Sequence, residues 1–134
     1  SRPVPDWGAA MTDRVLSGCR IIIVEDDYYQ AQDCKQMLQQ AGAKVVAVTA
    51  IVPDLASLLS EGPIDAALID INLGHSHTFD FARELQARAI PFAFLTGYDA
   101  GMLPDDLAAS VCISKPADLH RVISVIAGLA TRAG

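Results

Sequence analysis

The 134 residues hold ten Lys and Arg against sixteen Asp and Glu, a formal net charge of −6. With 51% of the residues hydrophobic and 19% charged, the composition excludes a disordered chain and is enough for one domain with its own core. The acidic balance argues against a basic surface for direct nucleic-acid binding, and no apolar run approaches the ~20 residues that cross a bilayer.

Residues 1–18 show no sustained periodicity and contain Pro3, Pro5, Gly8 and Gly18. They read as a tail or linker, with no apolar secretory core, and the folded unit is expected over residues 19–131. The run RIIIVE (20–25) is short, β-branched and apolar, the pattern of a strand buried on both faces. Residues 27–41 place Ala31, Cys34, Leu38 and Ala41 at helical spacing, with Gly42 where a C-terminal cap belongs. KVVAV (44–48) is a second strand. Pro53 and Asp54 open a helix with Leu55, Leu58 and Leu59 on one face, ended by Gly62 and Pro63.

DAALIDI (65–71) is a third strand, followed by a polar loop and a helix from about Thr78 to Arg88. PFAFL (91–95) is a fourth strand. The weakest helix is expected over 98–109, where Gly101 and Pro104 both interrupt it. SVCIS (110–114) is a fifth strand, and Pro116 opens a last helix with Leu119, Val122, Ile123, Ile126 and Leu129 on its buried stripe. Five strands alternating with five helices predict an α/β fold: a doubly wound, five-stranded parallel sheet in three layers. Cys19, Cys34 and Cys112 are scattered, with neither disulfide nor zinc spacing, which suits a cytoplasmic protein.

In such sheets the site lies at the carboxyl ends of the strands. Those ends carry Glu25, Asp26 and Asp27 after the first strand, Asp70 at the third, Thr96 after the fourth and Lys115 after the fifth. Carboxylates brought that close repel and call for a cation. Magnesium prefers hard oxygen ligands, usually one or two carboxylates with phosphate oxygens and water. With it, Asp70 is a nucleophile suited to forming an aspartyl-phosphate, Thr96 a hydrogen-bond donor to one phosphoryl oxygen, and Lys115 a partner for another.

IIIVEDD (21–27), LIDINL (68–73), Thr96-Gly97 and Lys115-Pro116 together resemble response-regulator receiver (CheY-like) domains of two-component systems, over about residues 19–131. The resemblance implies the flavodoxin-like (βα)5 fold and a Mg2+-dependent phosphoacceptor at Asp70. It implies Asp26 as a direct magnesium ligand, Glu25 acting mostly through a metal-bound water, and Asn72 offering its backbone carbonyl. Thr96 becomes the switch hydroxyl, Lys115 the phosphate-pairing amine, and Lys115-Pro116 a cis bond. The implied partners are a histidine kinase or a histidine phosphotransfer protein and an unknown downstream protein. The implied role is signalling, not turnover of a separate substrate.

Two departures stand out. Cys112 occupies the position, three before the lysine, where the family usually has Tyr or Phe. PFAFLTGY (91–98) instead resembles the alphaproteobacterial subgroup with a Phe-Ala-Thr-Gly-x-Tyr signature, with Leu95 at the signature's Ala. That likeness implies kinases of the HWE or HisKA2 type and makes Tyr98 the aromatic that answers phosphorylation. The loop after Asp70 reads Gly74-His75-Ser76-His77 where a Pro-Gly pair is common.

Plainer roles fit several other residues. Asp27 is expected to cap the first helix, and Asp105-Asp106 to start a short helix after Pro104. His75 and His77 lack a third ligand and read as a solvated loop. His120 is expected to be exposed, and Tyr28 and Tyr29 to pack or face solvent. Alternatives to a stand-alone regulator are the receiver module of a hybrid histidine kinase, a phosphate sink or a degenerate scaffold. A phosphatase of the haloacid dehalogenase type needs a second acid where Asn72 stands. A flavin carrier needs a phosphate-cradling loop where Glu25-Asp26-Asp27 stands.

Overall fold

The computed structural model describes residues 15–71, 76–97, 103–116 and 118–133. RIIIV forms β1 (Arg20–Val24), with Ile21, Ile22 and Ile23 fully buried. Ile21 and Ile23 enter the apolar cluster on one side of the sheet, Ile22 and Val24 the cluster on the other. Both faces are covered, which is why the run is continuously apolar.

Asp27 caps α1 (Tyr28–Gln40), its Oδ1 accepting the Gln30 N–H at 3.0 Å. Ala31, Cys34 and Leu38 form the helix's buried stripe. The helix closes through Gly42, at φ +98°: the Gly42 N–H donates to Gln39 O and the Ala43 N–H to Leu38 O, each at 3.0 Å. These are the paired bonds of a Schellman motif, whose left-handed residue favours glycine. Then follow β2 (Lys44–Thr49), α2 (Leu55–Ser60), β3 (Ala66–Ile71), α3 (Ser76–Ala87), β4 (Phe92–Thr96), β5 (Val111–Ser114) and α4 (Leu119–Ala133).

The sheet is parallel throughout, in the order β2-β1-β3-β4-β5. One cluster joins Leu68, Leu95 and Ile113 of the sheet to Leu38 of α1 and Val122 and Ile126 of α4. The other joins Ile69 and Phe94 to Leu55 of α2 and Phe81 and Leu85 of α3. The result is the three-layered, flavodoxin-like arrangement. The strand order reverses between β1 and β3, and the crevice beyond their carboxyl ends is where such sheets bind ligands.

Three details differ from expectation. The fourth connection holds a 3-10 turn, Asp105–Leu107, where a weak helix was expected over 98–109, of which residues 103–109 are described. Pro104 lacks an N–H and sits at φ −56°, ψ 152°, outside the helical region, so the chain enters the turn extended. The last helix starts at Leu119 instead of Pro116; Asp118 Oδ1 accepts the His120 N–H at 2.9 Å at its entry. Apolar packing begins before residue 19, since Leu16 is fully buried and its N–H donates to Ala41 O at 2.9 Å.

Candidate functional site

Backbone pairing delivers the candidate residues to one edge. Val24 ends β1 opposite Ile69, and the Glu25 N–H donates to Thr49 O at 2.9 Å. Asp70 lies opposite Leu95, and Ile71 opposite Thr96. Thr96, the last residue of β4, lies opposite Ser114, and its carbonyl accepts the Lys115 N–H at 2.8 Å. The Lys115-Pro116 bond is cis, as the resemblance implied.

Glu25, Asp70 and Thr96 are buried polar residues, while Asp26 is exposed. One oxygen from each of Glu25, Asp26 and Asp70 falls within a sphere of contacts no wider than 4.8 Å. Glu25 Oε1 accepts the Asp27 N–H at 2.9 Å, which aims Oε2 at Lys115, whose Nζ stands 3.8 Å away. Lys115 Nζ also pairs with Asp70 Oδ1. Beyond the Lys115 ammonium, Glu25 Oε2 and both Asp70 oxygens have no hydrogen-bond partner among the described residues.

Burial pushes the Glu25 carboxyl up to about 7; Asp70 adds to the rise, while the Asp27 N–H and the Lys115 ammonium oppose it. For Lys115, burial alone favours the neutral amine, but the carboxylates of Asp70, Glu25 and Asp26 hold it above its ordinary value. Buried acids with unmet oxygens, beside a third acid at the surface, form a donor set that a hard divalent cation satisfies. The donors present therefore fit magnesium.

Glu25, Asp26 and Asp70 line a cavity of about 530 Å3. Its other walls come from Ile51 and Val52 after β2 and from His77, Asp80, Phe81 and Glu84 on α3. The solvated-loop expectation for His77 is thus corrected: it is exposed, but on the first turn of α3 and against this cavity. Asn72, His75 and Tyr98 lie outside the described residues. His120 is exposed on α4, and Tyr28 and Tyr29 are exposed in an edge-on pair 5.5 Å apart. Cys112, half-buried, packs against the cluster containing Phe94. The cavity's α3 wall was not foreseen; the i,i+3,i+7 spacing of His77, Asp80 and Glu84 was its only signal.

No helix among the described residues is long and apolar enough to cross a membrane. The chain is 32% identical over 92 residues to the sensor protein TorS of Escherichia coli, covering 69% of this chain and 10% of TorS. The response regulator PhyR of Brucella abortus superimposes with a TM-score of 0.72 at 24% identity, covering 92% of this chain and 52% of that one. The BeF3-activated conformation of SdrG from Pseudomonas melonis superimposes with a TM-score of 0.68 at 28% identity, covering 83% of this chain and 95% of that one. The chain thus spans about a tenth of TorS and about half of PhyR. The family profile for the response regulator receiver domain matches residues 21–127, and with the parallel sheet and its acidic edge this shows that the chain belongs to that family.

Proposed function

We propose that Asp70 is the phosphoacceptor of a two-component phosphorelay. The observation that carries this is the buried Asp70 carboxylate lining the cavity, paired with Lys115, clustered with Glu25 and Asp26, and without a further hydrogen-bond partner among the described residues. An Asp70 oxygen attacks the phosphorus of a phosphohistidine; the P–N bond breaks, its electrons return to the imidazole nitrogen, and an acyl phosphate remains. Glu25, Asp26, Asp70 and the main-chain carbonyl of Asn72 would hold a magnesium ion, which would supply neutralising charge to the phosphoryl oxygens. Lys115 moves its ammonium from the carboxylate to a phosphoryl oxygen, and the Thr96 hydroxyl donates to another.

The donor is a histidine kinase, of the HWE or HisKA2 type, or a histidine phosphotransfer protein, in the cytoplasm. Output passes through the 96–115 face, with Thr96 and Tyr98 as its switch residues, to a downstream protein. The domain works on its own phosphoryl group only. A second reading, a receiver module within a hybrid histidine kinase, is favoured by the match to part of a sensor protein.

Intact-protein mass after incubation with Mg2+ and acetyl phosphate tests the chemistry. A metal-dependent gain of one phosphoryl group on the wild type and none on Asp70→Asn is the expected result. Equal adducts on both proteins, or none on either with a kinase donor as well, would overturn it. Assaying the chain with free phosphotransfer protein, in both directions, separates a relay module from a terminal regulator.

A further inference from the structure

Arg83, on α3, spends its guanidinium fork on two carboxylates. Nε and Nη2 donate to Asp106 Oδ2 and Oδ1 at 2.6 and 3.1 Å, and Nη1 donates to Asp80 Oδ1 at 2.9 Å. Asp106 lies in the 3-10 turn of the β4–β5 connection, 23 residues further along the chain. Asp80 lines the cavity above Asp70. One side chain thus joins the wall of the acceptor cavity to the connection that follows Thr96.

The described part of the connection, residues 103–110, has few other ties among the described residues. Leu103 and Leu107 are buried in the cluster containing Phe94, and the Leu107 and Ala108 N–H groups donate to Pro104 and Asp105 within the turn. Among the described residues, no other side-chain hydrogen bond joins residues 103–109 to the rest of the fold. A single 3-10 turn has little cooperative strength of its own, so this is a segment of low local stability. An isolated surface ion pair contributes little, but a two-pronged arginine fork fixes geometry that a point charge does not. The pairing holds the Asp106 carboxyl below its ordinary value through the Arg83 hydrogen bonds.

Resting on the receiver reading above, we propose that Arg83 is a latch that holds residues 103–110 in the resting position and yields when Asp70 is loaded. Asp80 and Asp106 share one guanidinium. An anionic phosphoryl group entering the cavity repels the Asp80 carboxylate from its wall, outward along α3. The fork then follows Asp80, and its grip on Asp106 loosens. Among the described residues of the connection, the packing of Leu103 and Leu107 is then what holds 103–110, and its amides open more often.

Hydrogen exchange of the full chain tests this, with Mg2+ and beryllofluoride as the phosphoryl mimic. In the wild type, loading is expected to speed exchange across 103–110 several-fold. Arg83→Gln and Asp106→Asn are each expected to show that faster exchange already at rest, to gain little more on loading, and to combine without adding. Both variants should still take one phosphoryl group from acetyl phosphate, since neither residue lines the cavity. Resting exchange equal to wild type in both variants, or an undiminished response to loading, would overturn the latch. Failure of beryllofluoride to raise the melting temperature with Mg2+ would count against the receiver reading instead, and the resting comparison still decides whether the fork holds the segment.

Discussion

Lys115 Nζ pairs with Asp70 Oδ1 and stands 3.8 Å from Glu25 Oε2, so one ammonium faces two buried carboxylates. Before any cation arrives, that amine is the main compensation for the acidic edge. The same charge opposes the entry of a divalent ion. Lys115 therefore acts in two directions, steadying the metal-free fold and weakening its hold on metal.

Lys115→Met separates the two effects. In the metal-free protein, removing one partner of a largely buried pair leaves uncompensated carboxylates, expected to cost on the order of 1–3 kcal/mol in urea denaturation at pH 7.5. Mg2+ binding, followed by calorimetry, is expected to tighten several-fold because a nearby positive charge is gone. Weakened Mg2+ binding in this variant would show that Lys115 organises the acids instead of neutralising them.

Asp27 stands one residue beyond Asp26, yet its work is local. Its side chain caps α1 through Gln30, whereas its backbone N–H holds Glu25 Oε1. Asp27→Ala removes the first bond and keeps the second. The expected loss is about 1 kcal/mol of stability, with the Mg2+-linked rise in melting temperature largely retained. Loss of that rise would place Asp27 among the metal ligands.

These short-range relations were legible in the residue order. The isoleucine run of β1, the Asp27 cap and the Gly42 close each depend on neighbours within a few positions. The convergence of Glu25, Asp26, Asp70, Thr96 and Lys115 was legible too, because parallel strands bring their carboxyl ends to one edge. The β4–β5 connection was less so. Gly101 and Pro104 marked it as weak, but weakness does not say what replaces the helix. The Arg83–Asp106 fork spans 23 residues with no periodic signal, and only the Asp80–Arg83 half of it follows from helical spacing. Leu16 gave no sign of being core, since a single leucine between Val15 and Ser17 has no pattern to belong to.

The raised Glu25 carboxyl sets the pH behaviour of the metal-free protein. Its ordinary value is 4.5 and burial lifts it to about 7, so between these limits the unfolded chain has ionised while the folded one keeps its proton. The stabilising contribution is therefore complete below about pH 4.5 and is lost as pH rises through 7. Glu25→Gln cannot ionise and keeps the acceptor for the Asp27 N–H, so it escapes the loss. In EDTA, its melting temperature is expected to lie close to wild type near pH 5, to exceed it by a margin that grows up to about pH 7, and to keep that margin above it. Magnesium binds the ionised carboxylate, so the stabilisation that Mg2+ gives the wild type is expected to grow over the same window and to shrink in the variant. Parallel melting curves for the two proteins across pH 5–8 would mean that Glu25 is already ionised in the folded chain, held so by Lys115.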